Sequence, residues 1–436
     1  MSDARNIVLV TLDSVRADHC SFMGYYRKTT PTIDKMAKKG LCFENAIASG
    51  PGTPVSMVGV FTGEFSNVSG TDPRPWRNLL KRRISLAQVL TSVGYMTGAF
   101  NPNPFVSSYF GFNKGFTYFQ DFIFEDKSIF HAIYRKIFDI VARSGKRGFI
   151  SVLRNVKNLV FREEIFMPWE SFYNDILSWV RNAREPFFLW ILLLDTHHPY
   201  LAPRNYRKWC NLLDMWYYNY RLQKENWAPN FSKEDRQKLI NAYDDSIYYA
   251  DHFIKKLWDD LKDYDPIFVI HADHGEAFGE HDNIYGHGPF LYEEFIRVPL
   301  VIYNTDIRGK IENPVSLLGL SPTILELVNI DAKKIFPSNN ILEENKFIIA
   351  KIFDRKWKIA IRLKDWKYIE GQKKWCELYN LKKDPYEQEN VAEEHSDIVA
   401  ELKNFANFAN YPSRLRLNEY RNVKKSVLKL RKSGKI

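Results

Sequence analysis

The chain has 436 residues, of which 45% are hydrophobic and 15% aromatic, and its four cysteines lie far apart. This composition is sufficient to bury a large core, and it excludes fibrous, disordered, disulfide-framework and zinc-finger classes. The net charge of +10 is uneven, because residues 127–162 and residues 414–436 each carry +8, which leaves −6 for the rest. Two basic segments on an acidic body are expected to meet anionic surfaces; solvated helix faces are the equally weighted alternative.

The sequence contains neither a membrane-spanning nor a secretory pattern. It has no run of about 18 to 20 apolar residues, which a spanning helix requires. An apolar, strand-like run begins at residue 7 without a preceding signal-peptide pattern. We therefore expect a cytoplasmic protein, with peripheral binding to the inner membrane face through the basic segments as the alternative. Apart from charge, no motif predicts specific binding of nucleic acid.

Short apolar runs that end in polar residues predict the strands of a mostly parallel sheet. They lie at residues 7–10, 187–194, 267–270 and 298–303, and they alternate with helical patterns at 86–93, 170–183 and 232–261. Such runs are typical of strands that are buried on both faces by helices. The sequence thus predicts an α/β fold with a central sheet flanked by helices.

Three regions depart from this alternation. Residues 122–167 combine isoleucines at helical spacing with basic residues, which predicts a helical cap inserted into a catalytic domain at 1–340. From 341 to 412, short runs separated by polar turns predict a small antiparallel sheet followed by a helix, and 413–436 form a basic tail. The aromatic run at 209–220 is expected to be a buried patch; a substrate cleft is the alternative.

Polar side chains follow three of the predicted strands and start one predicted helix. The residues after the strands are Asp13, Asp195, His197, His198, Asp273 and His274. The carboxyl ends of parallel strands meet at one edge, and repeated Asp and His there have the composition of a metal site. Thr53 adds a hydroxyl at a helix start, although a threonine there is by itself more often a plain N-cap.

Several longer motifs follow one another in an order that is similar to that of a known family. They lie at residues 6–19, 30–34, 273–281, 287–288, 321–325 and 377–392. With these motifs the chain resembles the sulfatase family of the alkaline phosphatase superfamily. The resemblance implies an alkaline-phosphatase-like α/β sandwich with a small C-terminal antiparallel subdomain. It also implies metal-dependent turnover of an anionic ester, either a small molecule or linked to a glycan or lipid.

The resemblance further implies roles for individual residues. The metal ligands fall on Asp13, Asp273 and His274, and the nucleophile, which would also contact the metal, falls on Thr53.

The histidines that bind substrate or contact the transferred group correspond to His197 or His198 and to His287. Asp195 is a candidate for substrate binding or for a second metal. However, the histidines follow it at two and three residues, whereas two-metal relatives have a D-x-x-x-H spacing. His271 is expected to be a strand residue whose ring is already hydrogen-bonded.

Four positions depart from the usual sulfatase pattern. Thr53 stands where sulfatases present Cys or Ser for oxidation to formylglycine, Met57 replaces an arginine, and Ser14 replaces a second aspartate. His274 replaces the asparagine of a calcium-binding pair, and because imidazole is a poor calcium ligand, this change favours Zn²⁺ or Mn²⁺ over Ca²⁺.

These departures favour phosphorus over sulfur. A formylglycine intermediate collapses by regenerating its aldehyde, whereas a threonyl intermediate must be cleared by water or an acceptor attacking the transferred group. We therefore expect a hydrolase of phosphate-type esters, with diesters and phosphonates preferred. The alternatives are a sulfatase proper and a catalytically degenerate member that docks on anionic surfaces.

Overall fold

The computed structural model describes residues 4–66, 80, 83–121, 168–332, 335–343, 347–353, 357–372 and 375–409. The predicted helical cap at 122–167 and the predicted basic tail at 413–436 lie outside these residues. In the described part of the chain, no helix has the length and apolarity that crossing a membrane requires.

The helices and strands alternate through most of the chain, and strands predominate after residue 347. The helices are α1 (Pro31–Lys39), α2 (Thr53–Thr62), α3 (Leu86–Ser92), α4 (Tyr173–Asn182), α5 (Leu212–Lys224), α6 (Lys233–Asp260), α7 (Glu293–Ile296), α8 (Leu320–Leu327) and α9 (Ser396–Ala409). The first strands are β1 (Ile7–Leu12), β2 (Leu41–Phe43), β3 (Ala46–Ile47), β4 (Met96–Asn101), β5 (Tyr118–Asp121), β6 (Phe187–Leu193), β7 (Ile267–Ala272), β8 (Ala277–Phe278) and β9 (Tyr285–Gly286). The later strands are β10 (Arg297–Val298), β11 (Leu300–Tyr303), β12 (Gly309–Ile311), β13 (Val315–Ser316), β14 (Ile348–Phe353), β15 (Trp357–Arg362), β16 (Trp366–Gly371) and β17 (Cys376–Asn380).

The central sheet has eight strands in the described part of the chain, in the order β12-β2-β11-β7-β1-β6-β4-β5. Strands β7, β1, β6, β4 and β5 are parallel, and β11 runs antiparallel to β7. Every residue of β1, β6 and β7 is buried, as expected for strands covered by helices on both faces. The predicted α/β fold with a mostly parallel central sheet is confirmed.

A second, four-stranded sheet consists of β14, β15, β16 and β17 in antiparallel order. Together with α9 it forms a hydrophobic cluster of its own, which includes Ile361, Tyr368 and Leu402. Lys367 on β16 is fully buried and makes ion pairs with Glu293 on α7 at 3.0 Å and with Glu387 at 2.9 Å. A buried cation between two carboxylates therefore attaches this sheet to α7.

The aromatic run at 209–220 is divided between core and surface. Tyr218 is buried, and its hydroxyl donates to Asp235 on α6 at 2.6 Å, whereas Tyr217 is 52% exposed. The expectation of one buried patch is therefore wrong for Tyr217, whereas Trp209, Trp216 and Tyr220 are half-buried. A helix can bury only one of its faces against α6, so residues one position apart separate.

His281 links the loop after β8 to the C-terminal region. Its Nδ1 contacts Glu294 at 2.6 Å, its Nε2 contacts the Glu387 carbonyl oxygen at 3.0 Å, and its ring stacks on Tyr292. Although burial disfavours the charged form, the hydrogen bond and charge of Glu294 raise the pKa of His281 to about 9.

We predict that this contact makes the stability pH-dependent in the alkaline direction. Because the pKa of His281 is raised, its contribution is fully present below about pH 6.5 and is lost as the pH rises through about 9, by about 1 to 2 kcal/mol. The free energy of unfolding, measured with urea between pH 6 and pH 10, should show this loss. In His281→Gln the decrease with pH should be smaller. His252→Gln is the matched control, because the Nδ1 of His252 faces the Tyr248 carbonyl oxygen. An unchanged pH slope in His281→Gln would contradict the prediction.

Candidate active site

The strand register places two carboxylates side by side at the edge of the central sheet. Leu12, the last residue of β1, is level with Ala272 of β7, so Asp13 and Asp273 leave the sheet together. Both side chains are fully buried. Burial and the neighbouring charge of Asp13 raise the pKa of Asp273 well above its usual range. Two adjacent buried carboxylates are stable as anions only if a cation or hydrogen-bond donors offset their charge.

Hydrogen bonds satisfy part of this need. Asp13 accepts from the Ser14 hydroxyl at 2.9 Å and from the Asn103 side-chain amide at 2.6 Å. Asp273 accepts at Oδ1 from the backbone N–H groups of Ser14 and His274. Its Oδ2 atom is buried and has no hydrogen-bond partner among the residues that the structure describes. That oxygen is therefore available to a cation.

The His274 ring is oriented as a ligand. Its Nδ1 lies 2.9 Å from the Gly275 carbonyl oxygen, which can only accept, so Nδ1 carries the proton and Nε2 presents a lone pair. Nε2 lies 3.8 Å from Asp13 Oδ1 and 3.5 Å from Asp273 Oδ2. Burial lowers the pKa of His274, which keeps the ring neutral, as metal ligation requires.

The backbone of α2 delivers Thr53 to the same point. Gly52 precedes the helix in an extended conformation, Thr53 is its first residue, and Pro54 supplies the preset φ of a helix start. The Thr53 hydroxyl oxygen lies 3.2 Å from His274 Nε2. Thr53 is only 5% exposed, and all of α2 is buried, so the hydroxyl is held in place by the core.

The donor set fits a divalent metal. Asp13, Asp273 and His274 each offer one ligand atom, and these atoms lie within 4.8 Å of one another. Ligands about 2.0 to 2.2 Å from one ion are themselves separated by about 3 to 4 Å, which agrees with the distances above. Two carboxylates with one imidazole suit Zn²⁺ or Mn²⁺. The unpartnered oxygen of Asp273 supports this fit independently.

Two further histidines line the same region. The His287 ring lies 4.8 Å from the His274 ring and 5.2 Å from the His197 ring. His287 Nδ1 is 3.4 Å from the buried carboxylate of Glu276, which also accepts from the Tyr200 hydroxyl. Burial acts to raise the pKa of Glu276, but the hydrogen bond and charge of His287 lower it overall. The Glu276 carboxylate is therefore an anion that holds the His287 ring in place.

The structure separates other candidate residues from this group. Leu193 of β6 is level with Leu12, so Asp195 lies one residue beyond Asp13, and it accepts from the Trp169 backbone N–H at 3.2 Å. It does not belong to the cluster of three ligands found among the described residues. The His198 ring packs against Tyr200 and Trp227, not against the ring of His287.

Some neighbours were not foreseen, and others were. Asn103, on the loop after β4, had no sequence signal because its role depends on a contact across 90 residues. Glu276 belongs to the motif at 273–281 and could have been singled out there. His271 lies within β7, and its ring contacts Thr11 at 3.0 Å and the Ala272 carbonyl oxygen at 2.8 Å, as expected for a hydrogen-bonded strand residue.

Comparison with known proteins defines the family. The family model described as Sulfatase matches residues 5–330, which include every residue of the site. The chain belongs to the sulfatase family. The predicted membership is thereby confirmed.

Sulfatase-family relatives differ in the chemistry that their names record. The uncharacterized sulfatase YidJ of Escherichia coli is 24% identical over 348 residues, which is 72% of this chain and 65% of that protein. The Kdo(2)-lipid A phosphoethanolamine 7''-transferase of Salmonella typhimurium is 24% identical over 310 residues, 70% of this chain and 45% of the transferase. This chain thus spans less than two thirds of either relative.

A solved structure supports the fold. The phosphonate monoester hydrolase of Agrobacterium radiobacter superposes with a TM-score of 0.67, covering 90% of this chain and 93% of that one. At 18% identity this likeness shows the fold alone.

We predict that the three-residue ligand set binds one equivalent of divalent metal. His274→Ala and Asp273→Asn should each weaken Zn²⁺ or Mn²⁺ binding at least about 100-fold, because each removes a direct ligand. Elemental analysis after gel filtration and calorimetric titration of the metal-free protein measure the effect. Asp195→Asn is the matched control and should retain full stoichiometry. Wild-type metal content in His274→Ala would refute the assignment.

Proposed function

We propose that this sulfatase-family protein is a metal-dependent hydrolase of phosphate-type esters, with Thr53 as the nucleophile. The observation that carries the proposal is the position of the Thr53 hydroxyl, 3.2 Å from a neutral His274 and at the start of a fully buried helix. A hydroxyl held beside a ligand set is ready for in-line attack without reorganisation. The preferred substrates are diesters and phosphonates, as small molecules or linked to a glycan or lipid.

The identity of the nucleophile supports phosphorus over sulfur. Threonine cannot supply the aldehyde hydrate of formylglycine, so its covalent intermediate has to be released by attack on the transferred group. Phosphoryl groups are routinely relayed in this way. Met57 stands where sulfatases place an arginine, so α2 offers no cation at this position. The Met57 side chain is fully buried. The similarity to a phosphoethanolamine transferase agrees with this direction.

In the first step the Thr53 oxygen forms a bond to phosphorus, its hydroxyl proton passes to solvent, and the bond to the ester oxygen breaks. A divalent cation bound by Asp13, Asp273 and His274 would lower the pKa of that hydroxyl and neutralise charge on the phosphoryl oxygens. In this proposal His287, which contacts Glu276, protonates the leaving oxygen, and His197 donates a hydrogen bond to a non-bridging oxygen.

In the second step water attacks phosphorus on the side opposite the Thr53 oxygen, and that oxygen leaves and takes up a proton from solvent. The histidine that lost its proton can accept one from this water, which returns the site to its starting state. An alcohol in place of water would make the protein a transferase, and the relationship to the phosphoethanolamine transferase favours that as the second candidate.

We predict that Thr53 is indispensable for turnover but not for folding. Thr53→Ala should lower kcat for an aryl phosphodiester at least about 10³-fold, because the covalent route is lost, whereas Thr53→Ser should retain measurable turnover. Steady-state kinetics and mass spectrometry of acid-quenched enzyme, which should find phosphate on Thr53, test this. Thr62→Ala, at the other end of α2, is the control. Unchanged turnover in Thr53→Ala would eliminate the proposal.

The choice between phosphorus and sulfur can be measured directly. On metal-loaded enzyme we expect kcat/KM for aryl phosphodiesters and phosphonates to exceed that for the matching aryl sulfate, since only the former suit a threonyl intermediate. A preference for the sulfate would establish the sulfatase alternative. Failure to turn over any of these esters despite full metal occupancy would favour the catalytically degenerate alternative.

A further inference from the structure

Helix α5 presents an apolar stripe to solvent. Its inner face, which includes Met215, Tyr218 and Leu222, is buried. A second stripe lies on the opposite side and is here called the α5 outer face. It consists of Leu213, Tyr217 and the half-buried Tyr220, at spacings of four and three residues, and Lys224 follows it one turn later. Leu213 is 81% exposed and Tyr217 is 52% exposed. A surface helix ordinarily carries charged residues at such positions, so these side chains indicate a binding surface.

Basic residues flank this stripe. Residues 204–225 contain five Lys or Arg against two acidic residues, a net charge of +3. Arg204 and Lys208 are exposed on the connection before the helix, and Lys224 is exposed at its end. Glu225 forms its ion pair with Arg221, at 2.7 Å, and not with any of these three cations. Exposed Leu and Tyr side chains bordered by Lys and Arg are typical of helices that lie in a membrane interface.

The outer face is mechanically joined to the candidate active site. Asn219, on the inner face of α5, accepts from the Tyr200 backbone N–H at 2.8 Å and donates to its carbonyl oxygen at 3.1 Å. The Tyr200 hydroxyl in turn donates to Glu276, which faces His287. A helix is about 10 Å thick, so whatever binds the outer face is held at a fixed, short distance from these residues.

The start of α5 is equally well anchored. The Asn211 side chain accepts from the Asp214 backbone N–H at 2.9 Å and caps the helix. The Asp245 carboxylate of α6 accepts from the Lys208 and Cys210 backbone N–H groups at 2.7 and 2.8 Å. The apolar stripe is therefore a preformed surface, and binding to it requires no folding of the helix.

We propose that the α5 outer face binds the surface of an anionic lipid bilayer. Leu213 and Tyr217 enter the interfacial layer, and Arg204, Lys208 and Lys224 meet lipid phosphates. The positive charge argues against a second copy of the chain, because a two-fold symmetric contact would bring identical cations together. Docking in this way orients the catalytic domain toward esters that lie in or on the membrane.

The test uses the full chain and sedimentation with phosphatidylcholine vesicles, with and without phosphatidylglycerol. Leu213→Ser/Tyr217→Ser should weaken partitioning onto the anionic vesicles about tenfold or more, because burial of such side chains drives insertion. The matched control is Ile307→Ser/Tyr386→Ser, which changes an aliphatic and a tyrosine that are 45% and 64% exposed elsewhere. The control should partition like the wild type.

Salt separates this surface from the two basic segments of the sequence. High salt screens charge-driven binding but not apolar insertion, so the difference between wild type and double variant should persist when the overall affinity falls. Equal partitioning of both at low and high salt would overturn the proposal. So would a wild-type dimer, seen by sedimentation velocity, that the double variant loses while vesicle binding is unchanged.

Failure here is distinguishable from failure of the proposed function. Turnover of a water-soluble phosphodiester should be the same in the wild type and in Leu213→Ser/Tyr217→Ser, because in the described part of the chain the ring of Tyr217 contacts Tyr218 and Arg221 on the same helix, outside the site. Only hydrolysis of a vesicle-embedded phosphodiester should fall with the loss of partitioning. Equal loss on both substrates, with the fold intact by circular dichroism, would contradict a role confined to the membrane.

Discussion

Two carboxylates that are fully buried at the same level of neighbouring strands are the constraint on which this site depends. Asp13 and Asp273 cannot both be charged in a dry environment unless positive charge offsets them, and the N–H donors around them leave Asp273 Oδ2 without a partner. The neighbouring residues provide groups that can bind a cation together with this pair. His274 turns a neutral nitrogen toward the pair, and the start of α2 places a hydroxyl beside that nitrogen.

The same arrangement explains why this sulfatase-family member can combine unusual residues. Under the proposed function, an imidazole in place of an amide and a threonine in place of an oxidisable residue would change both the metal preference and the way in which an intermediate is released. The two changes would be compatible with each other, because a hydroxyl whose pKa is lowered by a bound transition metal needs no aldehyde hydrate. In the proposed mechanism His197 and His287 would donate hydrogen bonds and a proton to the transferred group, which the carboxylates cannot do.

Support for the site extends well beyond its ligands. His287 is held by Glu276, Glu276 by Tyr200, and Tyr200 by Asn219 on α5. On the other side, Glu294 and Glu387 bind His281 in the loop after β8, and Lys367 attaches the second sheet to α7. Contacts of this kind fix side-chain orientation to within the tolerance that catalysis needs, and they use residues far apart in the sequence.

The sequence by itself determined the parallel strands, the polar residues at their ends and the family, because buried strands are continuous apolar runs and ligands follow them directly. It thereby indicated Asp13, Asp273, His274 and Thr53. Only the tertiary structure decided that Asp195 lies one residue beyond the ligands, that His197 rather than its neighbour faces His287, and that Asn103 supports Asp13. It also decided that Tyr218 of the aromatic run is buried and that Tyr217 is exposed. The reason is physical: register, ring orientation and the choice of a buried helix face are set by packing between distant segments, which leave no local pattern in the chain.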